Sequence, residues 1–318
     1  MRSYVCAFRG RRDDYQIPLA LAEEGALQSF ITDAYAVEPI RSMISVFPNR
    51  FFEAARHRFK PGIPDSRVKS LWKTTFRERT LRAIGVANER IYAATDPDFS
   101  RAAAEEARKA RADLFLYTPY AWEAFRESYG HQPRRILFQY HPHSATERRI
   151  LQQDVEKHPE VRTSYQAETG NQLTQRARRR IDDVWKHADH IICASSFTRD
   201  TLVKAGASKD LCSVVPYGIP CRDISKGSLL PDRFEVLFVG SGIQRKGLHH
   251  LLSAWNLSSL PDRSRLTLVC RNIDPGIKAQ IANIEGVRLL NGVSQEHLHM
   301  LYQSSTLFAM PSLIEGFG

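Results

Sequence analysis

Short apolar runs alternate with amphipathic stretches at helical spacing along this chain, and that alternation leaves few folds open. The runs are Tyr4–Phe8, Leu27–Thr32, Leu114–Tyr117, Ile136–Tyr140, His190–Ala194 and Cys212–Val215, followed later by Phe234–Val239, Arg265–Cys270, Val287–Leu290 and Leu307–Met310. Helical patterns fill the gaps at Gln16–Glu24, Phe99–Ala110, Leu248–Trp255, Pro275–Ile284 and Gln295–Ser304. Strands that alternate with helices in this way are the sequence habit of parallel α/β domains, joined by helical crossovers. The predicted class is therefore α/β, built from doubly wound parallel sheets. Ser42–Arg90 reads as helical and irregular, and Gln152–His187 as long and polar. Asp96-Pro97-Asp98 fits an Asp-x-Asp metal pattern, but a carboxylate and a proline before Phe99–Glu106 read better as a helix N-cap.

At Pro216-Tyr217-Gly218-Ile219-Pro220 the texture changes to a turn-rich break, followed by a polar stretch. A linker over 217–231 separates a first unit, 1–222, from a second, 230–318. A length of 318 residues agrees with two domains. The second unit holds the opening strands and helices of a doubly wound sheet and not its second half. It is expected to be incomplete, because such a half-sheet leaves an unpaired edge and an uncovered apolar face.

Composition excludes several classes. With 42% apolar and 25% charged residues the chain is neither disordered nor membrane-spanning. Its first apolar run is too brief for a signal peptide, so a cytoplasmic protein is expected. Cys6, Cys193, Cys212, Cys221 and Cys270 form no Cys-x-x-Cys and read as buried thiols. The net charge of +10 gathers in Arg41–Arg90, where twelve Lys/Arg face Glu53, Asp65, Glu78 and Glu89. Phe47, Phe51, Phe52, Phe59, Trp72 and Phe76 are interleaved with them. Two readings fit: solvated helix faces with aromatic core positions, or a surface that meets anionic lipid or an anionic acceptor. Neither zinc-finger spacing nor an RNA-binding sheet signature accompanies the charge, so nucleic acid is not expected.

The segment Phe238-Val239-Gly240-Ser241-Gly242-Ile243-Gln244-Arg245-Lys246-Gly247 carries the clearest chemistry. A strand runs into glycines that allow close backbone approach to a phosphate. A helix then opens near Gly247, with Leu248, Leu251, Leu252 and Trp255 on one face. Lys246 adds a point charge. Gly242-x4-Gly247 has the spacing of a Walker A loop, but Leu248-His249 replaces Lys-[Ser/Thr]. Arg245 occupies the third position of a dinucleotide fingerprint, which excludes that reading as well.

The chain closes on Pro311-Ser312-Leu313-Ile314-Glu315-Gly316-Phe317-Gly318. Together with Val239-Gly240, Lys246-Gly247, Arg271, Val287–Gly292, Ala188–Phe197 and Val214–Ile219, this ending resembles the GT-B retaining glycosyltransferases of the group 1, or family 4, type. The resemblance is specific from about 180 onward. It implies two Rossmann-like domains, with acceptor on the first and nucleotide-sugar donor on the second. The family's Glu-x7-Glu motif would begin at Glu315 and end at 323, past the last residue, so the sequence is expected to be truncated within it. The implied enzyme is then a full-length parent, with the turnover of this chain left open.

Carried onto this sequence, the resemblance places Lys246 on the donor diphosphate and Glu315 on the sugar hydroxyls. Gly240 and Ser241 line the loop, where the family usually has Arg in place of Ser241 and Arg245 is the candidate substitute. Arg271 follows a strand of the donor domain. Gly292 and Val293 would line the base pocket, and Phe317 and Gly318 would present backbone N–H groups. His141, and next His143, stand where the family commonly places a histidine beside the anomeric carbon; capping or surface histidines are the plain alternative. Gly10 would let the backbone approach the diphosphate, although its loop, Arg9–Asp14, is charged where the family has paired glycines. No metal or other cofactor is expected, the leaving group being met by Lys246, backbone N–H groups and a helix dipole. The implied reaction moves a hexosyl-type sugar to a glycan, lipid or small-molecule acceptor. The alternatives are a GT-B nucleotide-sugar epimerase and a non-catalytic fragment that binds acceptor or membrane.

Overall fold

A computed structural model describes residues 2–38, 40–42, 58–168, 173–218, 233–258, 260 and 264–317. Its strands form two parallel sheets. In the first, β1 (Tyr4–Ala7), β2 (Leu27–Thr32), β3 (Val68–Ser70), β4 (Asp113–Tyr117), β5 (Arg135–Gln139), β6 (His190–Cys193) and β7 (Cys212–Val214) take the order β3-β2-β1-β4-β5-β6-β7. In the second, β8 (Glu235–Val239), β9 (Arg265–Val269), β10 (Val287–Leu290) and β11 (Leu307–Phe308) take the order β10-β9-β8-β11. The strand positions follow the sequence pattern to within a residue or two. The exception is β3, which lies inside the stretch expected to be helical and irregular. Three residues with one intermediate valine give no periodic signal, and only pairing to Phe30, Ile31 and Thr32 defines the strand.

The chain divides into two compact units. One comprises Met1–His143 and Leu173–Pro216, with Phe317; the other comprises Ser144–Gln172 and Tyr217–Gly316. Ser144–Gln172 thus departs from the sequence boundary, which had placed it in the first unit. Val155 and Val161 enter the second core, beside Val236, Phe238, Leu248, Leu252, Trp255, Leu266, Leu268, Cys270 and Ile277. Polar fastening is equally specific. The Ser164 backbone N–H donates to Asp274 Oδ2 at 2.6 Å, and the Gln244 backbone N–H donates to Ser164 Oγ at 3.0 Å. Gly276 lies so close to the segment that a Cβ there would stand 1.9 Å from the Glu160 carbonyl oxygen. Most of the expected linker, from 219 onward, and Cys221 lie outside the described residues.

Two helices in the first unit correct the sequence reading. Asp96-Pro97-Asp98 is not an N-cap, because the helix runs from Asn88 to Ala110 with Pro97 inside it. Asp96 instead accepts a 2.7 Å hydrogen bond from Arg9, whose guanidinium also meets Glu78 and Thr95. Of the two readings open for the Trp72–Ala83 helix, its aromatics do not take core positions. Thr74, Thr75 and Glu78 are buried, while Trp72 and Phe76 are 52% and 74% exposed. Glu78 belongs inside because Arg9 does, so these two aromatics are surface and not core. Phe47, Phe51 and Phe52 lie outside the described residues. Cys6, Cys193 and Cys270 are buried free thiols, as expected; burial pushes Cys193 and Cys270 up to about 12. Among the described residues, no helix is long and apolar enough to cross a membrane.

Candidate functional site

In a parallel sheet all strands end at one edge, so loops far apart in sequence line up there. In the second unit the order β10-β9-β8-β11 sets out, along that edge, Gly292-Val293 after β10, Arg271 after β9, Gly240–Lys246 after β8 and Pro311–Glu315 after β11. The chain winds from β8 to β9 and β10 on one side, then returns to place β11 on the other. The reversal between β8 and β11 is a topological switch point, where neighbouring loops part and ligands commonly bind.

At this switch point the two motifs meet. Gly247 takes a left-handed conformation, φ +66°, between a turn at Gln244–Lys246 and the helix Leu248–Leu257. A Cβ at Gly247 would lie 2.0 Å from the Pro311 carbonyl oxygen, so the close approach requires glycine. The Leu313 backbone N–H donates to the Arg245 carbonyl at 2.9 Å. These contacts bring Glu315 against two cations: it accepts a hydrogen bond from Lys246 Nζ and lies 3.4 Å from Arg245 Nη1. Burial pushes the Glu315 carboxyl up, but the hydrogen bond from Lys246 and the charges of Arg245 and Lys246 outweigh it. Its pKa is left below the ordinary carboxylate value. Upstream, Gly240 donates to the Val269 carbonyl at 3.0 Å, and Gly242 is locked to 272–274 by backbone hydrogen bonds of 2.7 Å in each direction. The loop is held in shape before any ligand arrives.

Residues 233–318 match the family model described as glycosyl transferases group 1. No curated protein matches the sequence. Among solved structures, the lipopolysaccharide outer core galactosyltransferase WaaB, apo form, aligns over 100% of this chain and 76% of its own at 13% identity, with a TM-score of 0.53. HepE of Anabaena in complex with UDP and glucose aligns over the same shares at 13% identity, TM-score 0.49. A putative UDP-N-acetylglucosamine 2-epimerase from Listeria monocytogenes covers 97% of this chain and 74% of its own at 12% identity, TM-score 0.45. The two parallel sheets are those of GT-B glycosyltransferase structures.

Within the group 1 segment, the residues singled out by sequence separate into three sets. Arg245, Lys246 and Glu315 are joined at the switch point, with Gly240 and Ser241 in the same loop as the two cations. Arg271, Gly292 and Val293 lie on the same strand-end edge; Arg271 and Gly292 are exposed, and Gly292 has φ +69°. Phe317 is 40% exposed, and Gly318 lies outside the described residues. Sequence reasoning missed two carboxylates near Arg245. Glu168 lies 3.8 Å from Arg245 Nε, and burial pushes both Glu168 and Glu147 above the ordinary value. No motif marks them, because they arrive on the Ser144–Gln172 segment from outside the matched region.

In the first unit, Gly10 has φ +79° in the loop after β1, and its N–H donates to Asp33 Oδ1 at 2.9 Å. That loop then makes a left-handed turn through Asp13, Asp14 and Tyr15, a costly conformation for non-glycine residues. Asp13 accepts from the Tyr117 hydroxyl at 2.9 Å, and Arg12 stacks 4.3 Å over Tyr140. The two histidines after β5 differ. His143 is 6% exposed, its Nε2 is 2.9 Å from the Asp182 carbonyl and its backbone N–H donates to Thr201. His141 is exposed, with its ring 4.5 Å from Tyr140.

Proposed function

We propose that this protein is a retaining glycosyltransferase that moves a hexosyl-type sugar from a nucleotide sugar to a glycan, lipid or small-molecule acceptor. The observation that carries the proposal is the junction of Lys246 and Arg245 with Glu315 at the β8–β11 switch point. A diphosphate brought to this edge competes with Glu315 for the two cations, being more highly charged and better fitted to several donors. Lys246 then meets the diphosphate, with Arg245 supplying the second charge that Ser241 cannot. Glu315 stays ionised under their field and turns its oxygens to the sugar hydroxyls. Gly292 and Val293 offer backbone atoms to the base.

In the transfer step the acceptor hydroxyl oxygen bonds to the anomeric carbon as the bond from that carbon to the phosphate oxygen breaks. The departing phosphate takes the hydroxyl proton from the same face, so configuration is retained. Lys246, Arg245 and fixed backbone N–H groups stabilise the charge on the leaving group. We assign His141, the exposed member of its pair, to the reacting end of the sugar, and His143 to holding its turn against Asp182. We also assign the Trp72–Ala83 helix to contact with anionic lipid, since Trp72 and Phe76 stand exposed among Lys73, Arg77, Arg79 and Arg82.

The test is incubation of the protein with a panel of nucleotide sugars and acceptors, reading release of nucleoside diphosphate. Lys246→Ala should lower kcat/KM at least about tenfold, and product from the wild type should keep the donor's anomeric configuration by NMR. Undiminished turnover in Lys246→Ala would remove the diphosphate role, and an inverted product would remove retention.

A further inference from the structure

A second cluster in the same unit is not used by sugar transfer. Asp154, near the end of the Ser144–Lys157 helix, and His158, just past it, are spaced i, i+4. They face His249 and His250 at the start of the Leu248–Leu257 helix. Asp154 Oδ1 lies 2.7 Å from His250 Nε2, and Asp154 Oδ2 lies 3.1 Å from His249 Nε2. The His158 ring centroid is 4.6 Å from that of His250 and 5.1 Å from that of His249. One ligand atom each from Asp154, His158 and His250 lie within 4.8 Å of one another. A tetrahedral ion with bonds of about 2.0–2.2 Å needs its ligands roughly 3.4 Å apart. Holding an ion would therefore open the 2.7 Å Asp154–His250 contact slightly and draw the part-exposed His158 inward.

The surroundings are those of an oriented ligand set. Asp154 is held from below: Gln244 Nε2 donates to Oδ2 at 2.8 Å, which with His249 leaves Oδ1 toward His250. The Nδ1 of His158 is 3.2 Å from Glu160 Oε1, and Glu160 accepts from Gln280 Nε2 at 3.2 Å. A carboxylate behind a histidine fixes its tautomer and turns the other nitrogen outward, the usual support of a metal-binding imidazole. His249 is fully buried and its Nδ1 has no partner among the described residues. Packing alone would be served better by an apolar side chain, and its Nε2 against Asp154 gives it a positioning role. His158 and His250 remain 29% and 39% exposed at the side chain, which gives an ion an entry path and a water for the open position.

We propose that Asp154, His158 and His250 form a site for a four-coordinate divalent transition metal of the zinc class, with His249 and Glu160 as positioning residues. Two imidazoles and one carboxylate oxygen suit Zn2+ or Co2+ and not Mg2+ or Ca2+, which prefer all-oxygen shells. The ion ties the end of one helix to the start of another. Through Gln244 it also steadies the turn that carries Arg245 and Lys246. Its role is structural and does not depend on the transfer reaction.

The experiment is titration of chelator-treated protein with Co2+ near neutral pH, followed by visible ligand-field absorption and by thermal unfolding. The wild type should take up one equivalent, show the bands of a four-coordinate ion that Zn2+ bleaches, and unfold at higher temperature when loaded. His158→Gln and His250→Gln, both at part-exposed positions, should each weaken binding more than about 100-fold, and Glu160→Gln about tenfold. His299→Gln, on an exposed position of another helix, should bind as the wild type does. Circular dichroism confirms that each variant is folded. Absence of the bands in the wild type, or equal bands in both ligand variants, would overturn the site.

Discussion

Gly247 is where one side chain's worth of space decides whether two motifs meet. It combines a left-handed φ with the Pro311 carbonyl oxygen at a distance no Cβ tolerates. Gly247→Ala should therefore cost roughly 2–4 kcal/mol, read as a lowered urea midpoint, and separate Glu315 from Lys246. A loss under about 0.5 kcal/mol, an ordinary surface effect, would show that the 311–315 segment yields without cost. The Glu315 carboxyl gives a pH signature. Its folded value lies below the ordinary 4.5, so the stabilisation from Lys246 and Arg245 is complete above 4.5 and is lost as pH falls through the lower folded value. The stability gap between wild type and Glu315→Gln should be largest at neutral pH and close on acidification. A gap independent of pH would mean that the ion pair contributes nothing. Lys246, Arg245 and Glu315 were legible as individual residues because each sits in a motif. Their pairing with one another was not, since sequence order says nothing of which loops adjoin at a strand-end edge.

At the scale of elements, apolar periodicity located ten of the eleven strands among the described residues, and the helix at Leu248–Leu257 buries the Leu248, Leu252 and Trp255 face expected of it. Apart from β3, too short to carry a period, the departures share a cause. Buried polar contacts redirected the Trp72–Ala83 helix, and Asp96 became the partner of Arg9 where local rules gave a cap. The Ser144–Gln172 segment moved for the same reason: Asp154, Ser164 and Gln244 fasten it, and polar partners leave no period in the sequence. Asp274 makes the attachment testable. It caps the Pro275–Ile281 helix through the Gly276 N–H at 2.8 Å and holds the Ser164 N–H at 2.6 Å. Asp274→Ala strands both donors and should cost about 2–4 kcal/mol, with faster amide hydrogen exchange over Arg162–Ala167. Unchanged exchange there would show that the segment is held by its valines alone.

For the molecule as a whole, the proposed contact with anionic lipid rests on its positive charge and on the exposed Trp72 and Phe76. An excess of Lys and Arg attracts anionic membrane by about 1 kcal/mol per residue near the surface, and Trp72 and Phe76 can enter the interface. Flotation with phosphatidylserine vesicles should carry the protein upward at low salt. Trp72→Ala with Phe76→Ala should reduce that fraction severalfold; equal flotation of the double variant would remove the aromatics from the contact, and no flotation of the wild type would leave the charge to solvation alone. The most direct measurement is calorimetric titration of a panel of nucleoside diphosphates and nucleotide sugars into the wild type and Lys246→Ala. At least one ligand should bind the wild type saturably, and at least about tenfold more weakly to the variant. Equal affinity for both proteins, or no binding by the wild type, would contradict a donor site at the junction of Lys246 and Glu315.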